Sequence, residues 1–189
     1  MKIVVVCTGN ICRSPAMELL LADALDDSVE VTSAGTQGMP RWEVSPPMAD
    51  LLVANKADSP SFSNNVSNFR SKPLTEQMVR DADLILTATS AHRADVLNLS
   101  PLALRRTMSL GELARLSQTV DPAIWQGKVT DAERLKALVP AALAARHPNP
   151  NGPEADDIVD PYKRSNETYQ RSFSQITGHI DTLVNSLHR

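Results

Sequence analysis

Two residues near the start of the chain have the types and the spacing that phosphate-ester chemistry requires. Cys7 is a candidate nucleophile, and Arg13 follows it after five intervening residues. A cysteine thiolate can attack phosphorus to give a phosphocysteine, which water then hydrolyses. A guanidinium can bind two phosphate oxygens at once through its planar fork. If the loop between them closes, Arg13 reaches a phosphoryl group beside Cys7, so the pair predicts phosphoryl transfer.

The residues between this pair predict a loop that binds an anion. Gly9 and Asn10 can adopt left-handed backbone conformations, which let successive N–H groups converge on one point. Ser14 and the following proline are expected to begin a helix, with Ser14 as the N-cap. The free N–H groups at a helix start carry partial positive charge, which favours both a bound phosphate and the thiolate form of Cys7. The alternative, a buried strand cysteine near a surface arginine, leaves this context unexplained.

The loop needs a strand before it and a helix after it, and the surrounding sequence predicts both. Residues 2–7 are a short apolar, β-branched run, typical of a strand that is covered on both faces. Strand and helix signals then alternate, which predicts an α/β fold: a doubly wound four-stranded parallel sheet with helices on both faces. We expect strands over 2–7, 29–33, 84–88 and 106–110, and helices over 14–25, 48–54, 75–81, 91–98, 131–146 (interrupted at residue 140) and 166–187.

The chain as a whole, residues 1–189, is predicted to be a single domain with an insertion-like helical segment at about 117–156. Residues 55–72 are rich in Ser and Asn and predict a loop, and residues 147–153 are rich in Pro, Asn and Gly and predict turns. The insertion-like segment leads directly into an Asp-Pro pair at residue 160. We therefore expect this segment to shape access to the site.

Composition and charge exclude several classes of function. A net charge of −3 with scattered basic residues gives no reason to expect a nucleic-acid partner. No apolar stretch approaches the roughly 20 residues needed to cross a bilayer, and the N-terminus lacks a secretory signal, so we expect a cytoplasmic protein without a membrane partner. Two cysteines build neither a disulfide framework nor a zinc site, and the histidines have no ligand-like spacing, so no metal or other cofactor is expected. The histidines are expected at the surface or at helix ends: His92, His147, His179 and His188.

Thiolate attack on a phosphate ester also needs a general acid, which protonates the leaving oxygen. Asp160 is one candidate, since the proline that follows it holds its backbone extended. From the residues alone this acid is one of many, because an Asp-Pro pair is more often a turn or the lead-in to a helix.

The run Val5–Pro15 (VVCTGNICRSP) closely resembles the active-site loop of the low-molecular-weight protein tyrosine phosphatases. The resemblance implies hydrolysis of phosphotyrosine in a protein substrate, by an enzyme that we expect to be a monomer and that needs no cofactor. It extends, in the family's order, over nearly the whole chain outside 117–156. The further matching runs are Ser33–Thr36, Pro46-Pro47, Asp83–Leu86 and Asp160–Tyr162.

Carried over position by position, the resemblance implies that Cys7 is the nucleophile, that Arg13 binds the phosphoryl group and that Asp160 is the general acid. It also implies that Asn10 braces the loop with help from Ser33. The residues that it implies for phosphate or substrate binding are Thr8, Gly9, Asn10, Ile11, Cys12, Ser14, Trp42 and Tyr162.

For four of these residues the resemblance implies a more specific role. Ser14 would hydrogen-bond the thiolate, and Tyr162 and Trp42 would wall the pocket for the aromatic leaving group. For Trp42 an ordinary, partly buried aromatic residue is an equal alternative. Cys12 resembles the family's neighbouring cysteine, which can form a reversible disulfide with the nucleophile; a small buried residue is equally open.

The chain departs from the family pattern at two positions. Phe69 stands where many members have a histidine that supports the loop asparagine, so the bracing of the loop is expected to differ. Lys163 follows Tyr162 where many members have a second aromatic residue, which weakens the case for an aromatic substrate.

Three other functions compete with tyrosine phosphatase. Some family members act on phosphoarginine, but they carry Thr where Ile11 stands, and a branched apolar side chain favours an ester over the more polar guanidinium. An arsenate reductase with an internal thiol relay needs cysteines late in the chain, and none follows Cys12. Only an arsenate reductase that uses an external thiol remains open, and the loop sequence GNICRS argues against it. A non-catalytic phosphate-binding module typically lacks the nucleophile or the acid, whereas this chain has both.

Overall fold

The computed structural model describes residues 1–152 and 154–189, and a four-stranded parallel sheet lies at its centre. The strand order is β2-β1-β3-β4, with every neighbouring pair parallel. Helices cover both faces, so the predicted doubly wound sheet is confirmed. The strands are β1 (Lys2–Cys7), β2 (Glu30–Gly35), β3 (Leu84–Thr87) and β4 (Thr107–Ser109).

The alternation of side chains along β1 explains why helices pack on both faces. Ile3 and Val5 belong to the larger hydrophobic core, whereas Val4 and Val6 belong to a smaller one on the opposite face. Successive side chains of a strand point to opposite sides of the sheet, so a continuous apolar run needs cover on both. Cys7 ends this run at the carboxyl edge of the central strand, where parallel sheets bind their ligands.

Eight α-helices in the described residues complete the layers. They are α1 (Arg13–Ala24), α2 (Pro46–Asn55), α3 (Pro60–Asn68), α4 (Glu76–Asp81), α5 (Ser90–Leu99), α6 (Leu110–Ser117), α7 (Asp131–Ala144) and α8 (Asn166–Leu187). Two 3-10 turns, Pro101–Arg106 and Pro122–Trp125, lie between them. None of the helices that the structure describes combines the length and the apolar character needed to cross a membrane.

Two predictions of secondary structure are wrong, because a helix forms where a loop or the end of a strand was expected. The stretch 55–72 contains α3, whose Phe62 and Val66 bury one face while its Ser and Asn residues meet solvent. The strand predicted over 106–110 stops at Ser109, and Leu110 begins α6. Ser109 caps α6 by accepting a hydrogen bond from the N–H of Glu112.

Two further expectations about helices are corrected. Helix α1 begins at Arg13, with Cys12 at the N-cap position, so Ser14 lies inside its first turn rather than capping it. Helix α7 continues through Pro140 without interruption. Pro140 is exposed, so water can satisfy the carbonyl group that its missing N–H leaves free.

The insertion-like segment 117–156 holds the second 3-10 turn and α7. Leu135, Leu138 and Ala142 of α7 are buried in the larger core. Within the predicted turn region 147–153, the N–H of Gly152 donates to the carbonyl of Asn149; residue 153 lies outside the described residues.

Candidate active site

The loop between β1 and α1 turns its carbonyl groups outward. The carbonyls of Cys7, Thr8 and Ile11 accept hydrogen bonds from the backbone N–H groups of residues 36, 37 and 45, at 2.7–2.9 Å. None of the hydrogen bonds among the described residues uses the N–H groups of residues 8–12. The loop thus offers a row of unpartnered donors at a helix start, which is the arrangement that binds an anion.

The two residues expected to allow this turn behave differently. Asn10 has φ of 55°, in the left-handed region, as the sequence predicts. Gly9 is not among the residues with positive φ, and a Cβ there would meet only Ile11 at ordinary contact distance. A different glycine is indispensable: a Cβ on Gly35 would lie 2.5 Å from the Thr8 carbonyl oxygen and 2.9 Å from the Asn10 nitrogen.

A chain of hydrogen bonds connects the candidate nucleophile with the interior. Cys7 Sγ lies 3.0 Å from Ser14 Oγ. The side-chain amide of Asn10 donates to Ser14 Oγ at 2.9 Å and to Ser33 Oγ at 2.7 Å, and Ser33 Oγ donates to the carboxylate of Glu18. Because Asn10 supplies a hydrogen to Ser14 Oγ, the Ser14 hydroxyl can itself donate, either to Cys7 Sγ or to the carbonyl oxygen of Ala34 at 3.5 Å. Donation to Cys7 would stabilise its thiolate.

The asparagine has a third partner in place of the family's histidine. Asn10 Oδ1 accepts from the backbone N–H of Lys72 at 2.8 Å, and Phe69 is buried in the larger core. Loop bracing therefore uses a main-chain donor here.

Burial raises the pKa of Glu18, while the hydrogen bond from Ser33 and the charge of Lys72 act against that rise.

Arg13 and Asp160 meet at the loop. The Arg13 side chain is only 4% exposed, and its Nη2 lies 2.9 Å from Asp160 Oδ2. Its Nη1 donates to the carbonyl of Ile158 at 3.2 Å. A guanidinium carries five N–H groups, so donors remain for an incoming phosphoryl oxygen. The fold thus brings residue 160 back across about 150 residues of chain to the loop that holds Cys7.

These residues line one pocket of about 220 Å³. Its floor includes Cys7, Thr8, Gly9, Cys12 and Arg13. Two of the sequence-predicted site residues lie deeper, because Asn10 and Ser14 are fully buried beneath the loop. The remaining lining residues are Ile11, Gln37, Met39, Trp42, Asp160 and Tyr162.

The mouth of the pocket is apolar and aromatic. Trp42 is 49% exposed and Tyr162 43% exposed, and the ammonium group of Lys163 lies 5.2 Å from the centre of the Tyr162 ring. The cation therefore packs on an aromatic face instead of adding a second ring to the wall. Sequence reasoning missed Gln37 and Met39, since no spacing or motif marks these two loop residues.

Cys12 lies on the inner side of the loop. Its Sγ is 3.1 Å from Ser45 Oγ and 3.7 Å from the hydroxyl of Tyr169. Burial raises the pKa of the Cys12 thiol, and the neighbouring Cys7 adds to that rise. Both cysteines are free and buried. Whether the two thiols form a reversible disulfide stays a prediction.

His92 was also missed as a part of the site. It lies near the start of α5, as expected for a helix-end residue, but it is buried. Its Nε2 lies 2.8 Å from Thr8 Oγ1 and its Nδ1 2.7 Å from Thr89 Oγ1. Burial, helped by the charge of Arg13, lowers its pKa to about 4. A neutral imidazole therefore supports the loop from behind.

In residues 1–152 and 154–189, no group of three or more His, Cys, Asp or Glu side chains is placed to hold a metal ion.

The chain is similar in sequence to known phosphatases. The family model described as "Low molecular weight phosphotyrosine protein phosphatase" matches residues 2–139. The low molecular weight protein-tyrosine-phosphatase Etp of Escherichia coli (strain K12) is 38% identical over 121 residues, which cover 64% of this chain and 76% of that protein.

Two further similarities concern substrate class and fold. A protein-arginine-phosphatase of Bacillus subtilis (strain 168) is 36% identical over 97 residues, which cover 49% of this chain and 59% of that protein. The crystal structure of the Erwinia amylovora tyrosine phosphatase amsI superposes with a TM-score of 0.67 at 26% identity, covering 100% of this chain and 93% of that one.

Proposed function

Because the chain belongs to the low molecular weight phosphotyrosine protein phosphatase family, we propose that it hydrolyses phosphotyrosine and other aryl phosphate monoesters through a phosphocysteine intermediate. The observation that carries this proposal is the convergence of Cys7, Arg13 and Asp160 on one pocket with an aromatic mouth. A nucleophile, an anion-binding loop and a carboxyl group are the parts that this reaction needs.

In the first step, the Cys7 thiolate attacks phosphorus in line with the bond to the tyrosine oxygen. The S–P bond forms as that P–O bond breaks, and Asp160 gives its proton to the leaving phenolate oxygen. The N–H groups of residues 8–12 and the guanidinium of Arg13 bind the three equatorial oxygens, where charge is spread in the transition state. Ser14, whose Oγ lies 3.0 Å from the sulfur, donates a hydrogen bond to the thiolate in this step.

In the second step, water attacks phosphorus from the side that the phenol has left. The Asp160 carboxylate accepts a proton from this water, the S–P bond breaks, and inorganic phosphate and the Cys7 thiolate are released. The contact between Arg13 and Asp160 places the carboxyl group beside the phosphoryl site. In the first step the phosphoryl oxygens replace Asp160 as partners of Arg13, and Asp160 enters the step as the protonated acid. No metal or organic cofactor takes part in either step.

The preference for tyrosine rests on the shape and chemistry of the pocket mouth. Ile11, Met39, Trp42 and Tyr162 present apolar and aromatic surface to a leaving group, and aromatic rings pack well against such walls. A phosphoarginine substrate would bring a polar guanidinium against the branched apolar side chain of Ile11. We therefore favour phosphotyrosine, with phosphoarginine as the nearest rival.

Two broader alternatives and three attributes belong to the same proposal. An arsenate reductase with an internal thiol relay is disfavoured because Cys7 and Cys12 are the only thiols, and a non-catalytic binding module because Cys7 and Asp160 both line the pocket. We further propose that the protein is a single-domain, cytoplasmic monomer acting on a phosphoprotein. Its insertion-like segment, residues 117–156, is proposed to shape access for such substrates.

The test compares wild type with Cys7→Ser and Asp160→Ala on para-nitrophenyl phosphate and on phosphotyrosine, phosphoserine and phosphoarginine peptides, with chelator and reductant present. We expect phosphotyrosine turnover that Cys7→Ser abolishes and Asp160→Ala lowers by about 100-fold or more. Gly178→Ala is the control and is expected to retain activity, since a Cβ at this position meets nothing within 4 Å. Activity that persists in Cys7→Ser would overturn the mechanism. If wild type hydrolyses the phosphoarginine peptide faster than the phosphotyrosine peptide, phosphoarginine is the preferred substrate class.

A further inference from the structure

Asp157, three residues before the general acid, binds the start of α5 with both carboxylate oxygens. Its Oδ1 accepts from the backbone N–H of Ser90 at 2.7 Å, and its Oδ2 accepts from the Ser90 hydroxyl at 3.0 Å. The N-cap residue of this helix, Thr89, serves a different donor, the N–H of His92. Asp157 is therefore a second cap, supplied by a distant part of the chain.

Two physical effects favour this contact, which lies at the exposed surface of the protein. The first N–H groups of a helix carry partial positive charge, which attracts a carboxylate. Two hydrogen bonds to one residue also fix the direction of the carboxyl group as well as its distance. Helix α5 has ten residues and packs on the sheet, where its Val96 is buried in the smaller hydrophobic core. Ser90, to which Asp157 binds, therefore belongs to an element that is fixed by core packing.

Hydrogen bonds hold both residues between Asp157 and Asp160. Ile158 is 1% exposed, its N–H donates to the carbonyl of Ala88 at 2.9 Å, and its own carbonyl accepts from Arg13. The N–H of Val159 donates to Gln175 Oε1 at 2.9 Å, on α8. Three residues of extended chain span at most about 10 Å. The position of Asp157 therefore limits where the carboxyl group of Asp160 can lie.

We propose that Asp157 is a positioning residue for catalysis: by capping α5 it sets the place of the Asp160 carboxyl group relative to the leaving oxygen. The inference rests on the proposed function and deepens it. The role is geometric, since an Asn side chain can accept from the Ser90 N–H and donate to the Ser90 hydroxyl in the same place. Asp157 itself is not among the residues that line the pocket.

The test uses two substrates that differ in their need for an acid. Phenyl phosphate loses a basic phenolate that must be protonated, whereas para-nitrophenyl phosphate loses a stable anion. For Asp157→Ala we expect kcat/KM on phenyl phosphate to fall by about 10- to 100-fold, as for a misplaced catalytic group. On para-nitrophenyl phosphate we expect a fall of less than about threefold, because protonation contributes little there. Asp157→Asn is expected to remain within about threefold of wild type on both substrates.

A second variant breaks the same contact from the helix side. Ser90 is the first residue of α5, where proline is well tolerated, and Thr89 before it is already extended. Ser90→Pro removes both donors to Asp157 and leaves the acid segment unchanged, so it is expected to give the same selective loss. Asp121→Ala is the matched control, because Asp121 caps the 3-10 turn Pro122–Trp125 outside the pocket.

Each result decides between the possibilities. An equal fall on both substrates, no fall, or a failure of Asn to restore phenyl phosphate turnover would each refute the positioning role. Melting temperatures measured on every variant show whether a loss comes from unfolding. If wild type turns over neither ester, the proposed function fails; if wild type is active and sensitive to Asp160→Ala while Asp157→Ala is not selective, only this inference fails.

Discussion

Acidification from about pH 7 to about pH 5 is expected to destabilise this protein through one buried imidazole. His92 lies behind the phosphate-binding loop, and burial lowers its pKa from 6.5 to about 4. The charge of Arg13 adds to this decrease, while Asp95, Asp160 and Asp157 oppose it. In the unfolded chain the same imidazole takes up a proton near its ordinary pKa.

The sign of the effect follows from which state binds the proton first. Between pH 6.5 and about pH 4 the unfolded state binds more protons than the folded state, so the free energy of unfolding falls as the pH falls. Stability from this group is fully present above the unfolded pKa. The lowering of the His92 pKa from 6.5 to about 4 sets an upper limit of about 3 kcal/mol on this contribution, and about 2 kcal/mol of it is lost between about pH 7 and about pH 5. That is a large share of the 5–15 kcal/mol that typically stabilises a domain.

The assay is urea unfolding at both pH values, followed by the fluorescence of buried Trp125 together with that of Trp42. Wild type is compared with His92→Gln, whose amide can still meet Thr8 but does not titrate. Carboxyl groups titrate in both proteins, so the difference between the two pH dependences isolates His92. We expect wild type to lose about 2 kcal/mol more than the variant. A difference below about 0.5 kcal/mol, or an NMR titration of His92 with a pKa above 6, would refute the reasoning.

Three further predictions follow from the loop and the pocket mouth. Gly35→Ala should lower kcat/KM on para-nitrophenyl phosphate by at least about 100-fold, since the new Cβ displaces the loop. Gly178→Ala is the control and should retain the wild-type kcat/KM, because its new Cβ meets nothing within 4 Å. Equal kcat/KM values for the two variants would contradict the packing argument. Asn10→Ala removes all three bracing contacts at a residue with φ of 55° and should cost about 10- to 100-fold in the same assay; unchanged activity would show that the loop holds without them. Trp42→Ala should raise KM for phosphotyrosine peptides about fivefold with little change in kcat. An unchanged KM would favour the alternative that Trp42 is an ordinary, partly buried aromatic.

The fold was predictable wherever one apolar pattern decided the structure. The strand Lys2–Cys7 and the helix Asn166–Leu187 have the predicted bounds, because continuous burial and a helical stripe of apolar residues leave little choice. Helix α3 was missed because only two of its nine residues are buried, and Ser and Asn favour loops by local propensity. Its helical state comes from tertiary packing, which no local pattern contains.

The site was predictable to the extent that one motif contains it. Cys7, Arg13 and the loop between them occupy consecutive positions. The resemblance implied that Asp160 is the general acid; Asp160 lines the same pocket, and its role stays a prediction. Gly35, His92 and Asp157 support the same site from three other elements, and no spacing in the sequence connects them. Their contacts exist only once β2, α5 and the acid segment have been packed against the loop.

The placement of the two cysteines has a consequence for chemical labelling. Cys7 and Cys12 are the only thiols of the chain, and both lie in the loop between β1 and α1. A thiol-directed reagent can therefore react only within this loop, so any labelling reports that the candidate active site is accessible. Inorganic phosphate should slow this labelling by occupying the loop. Any dye or surface attachment meant to leave the site intact needs a cysteine introduced elsewhere.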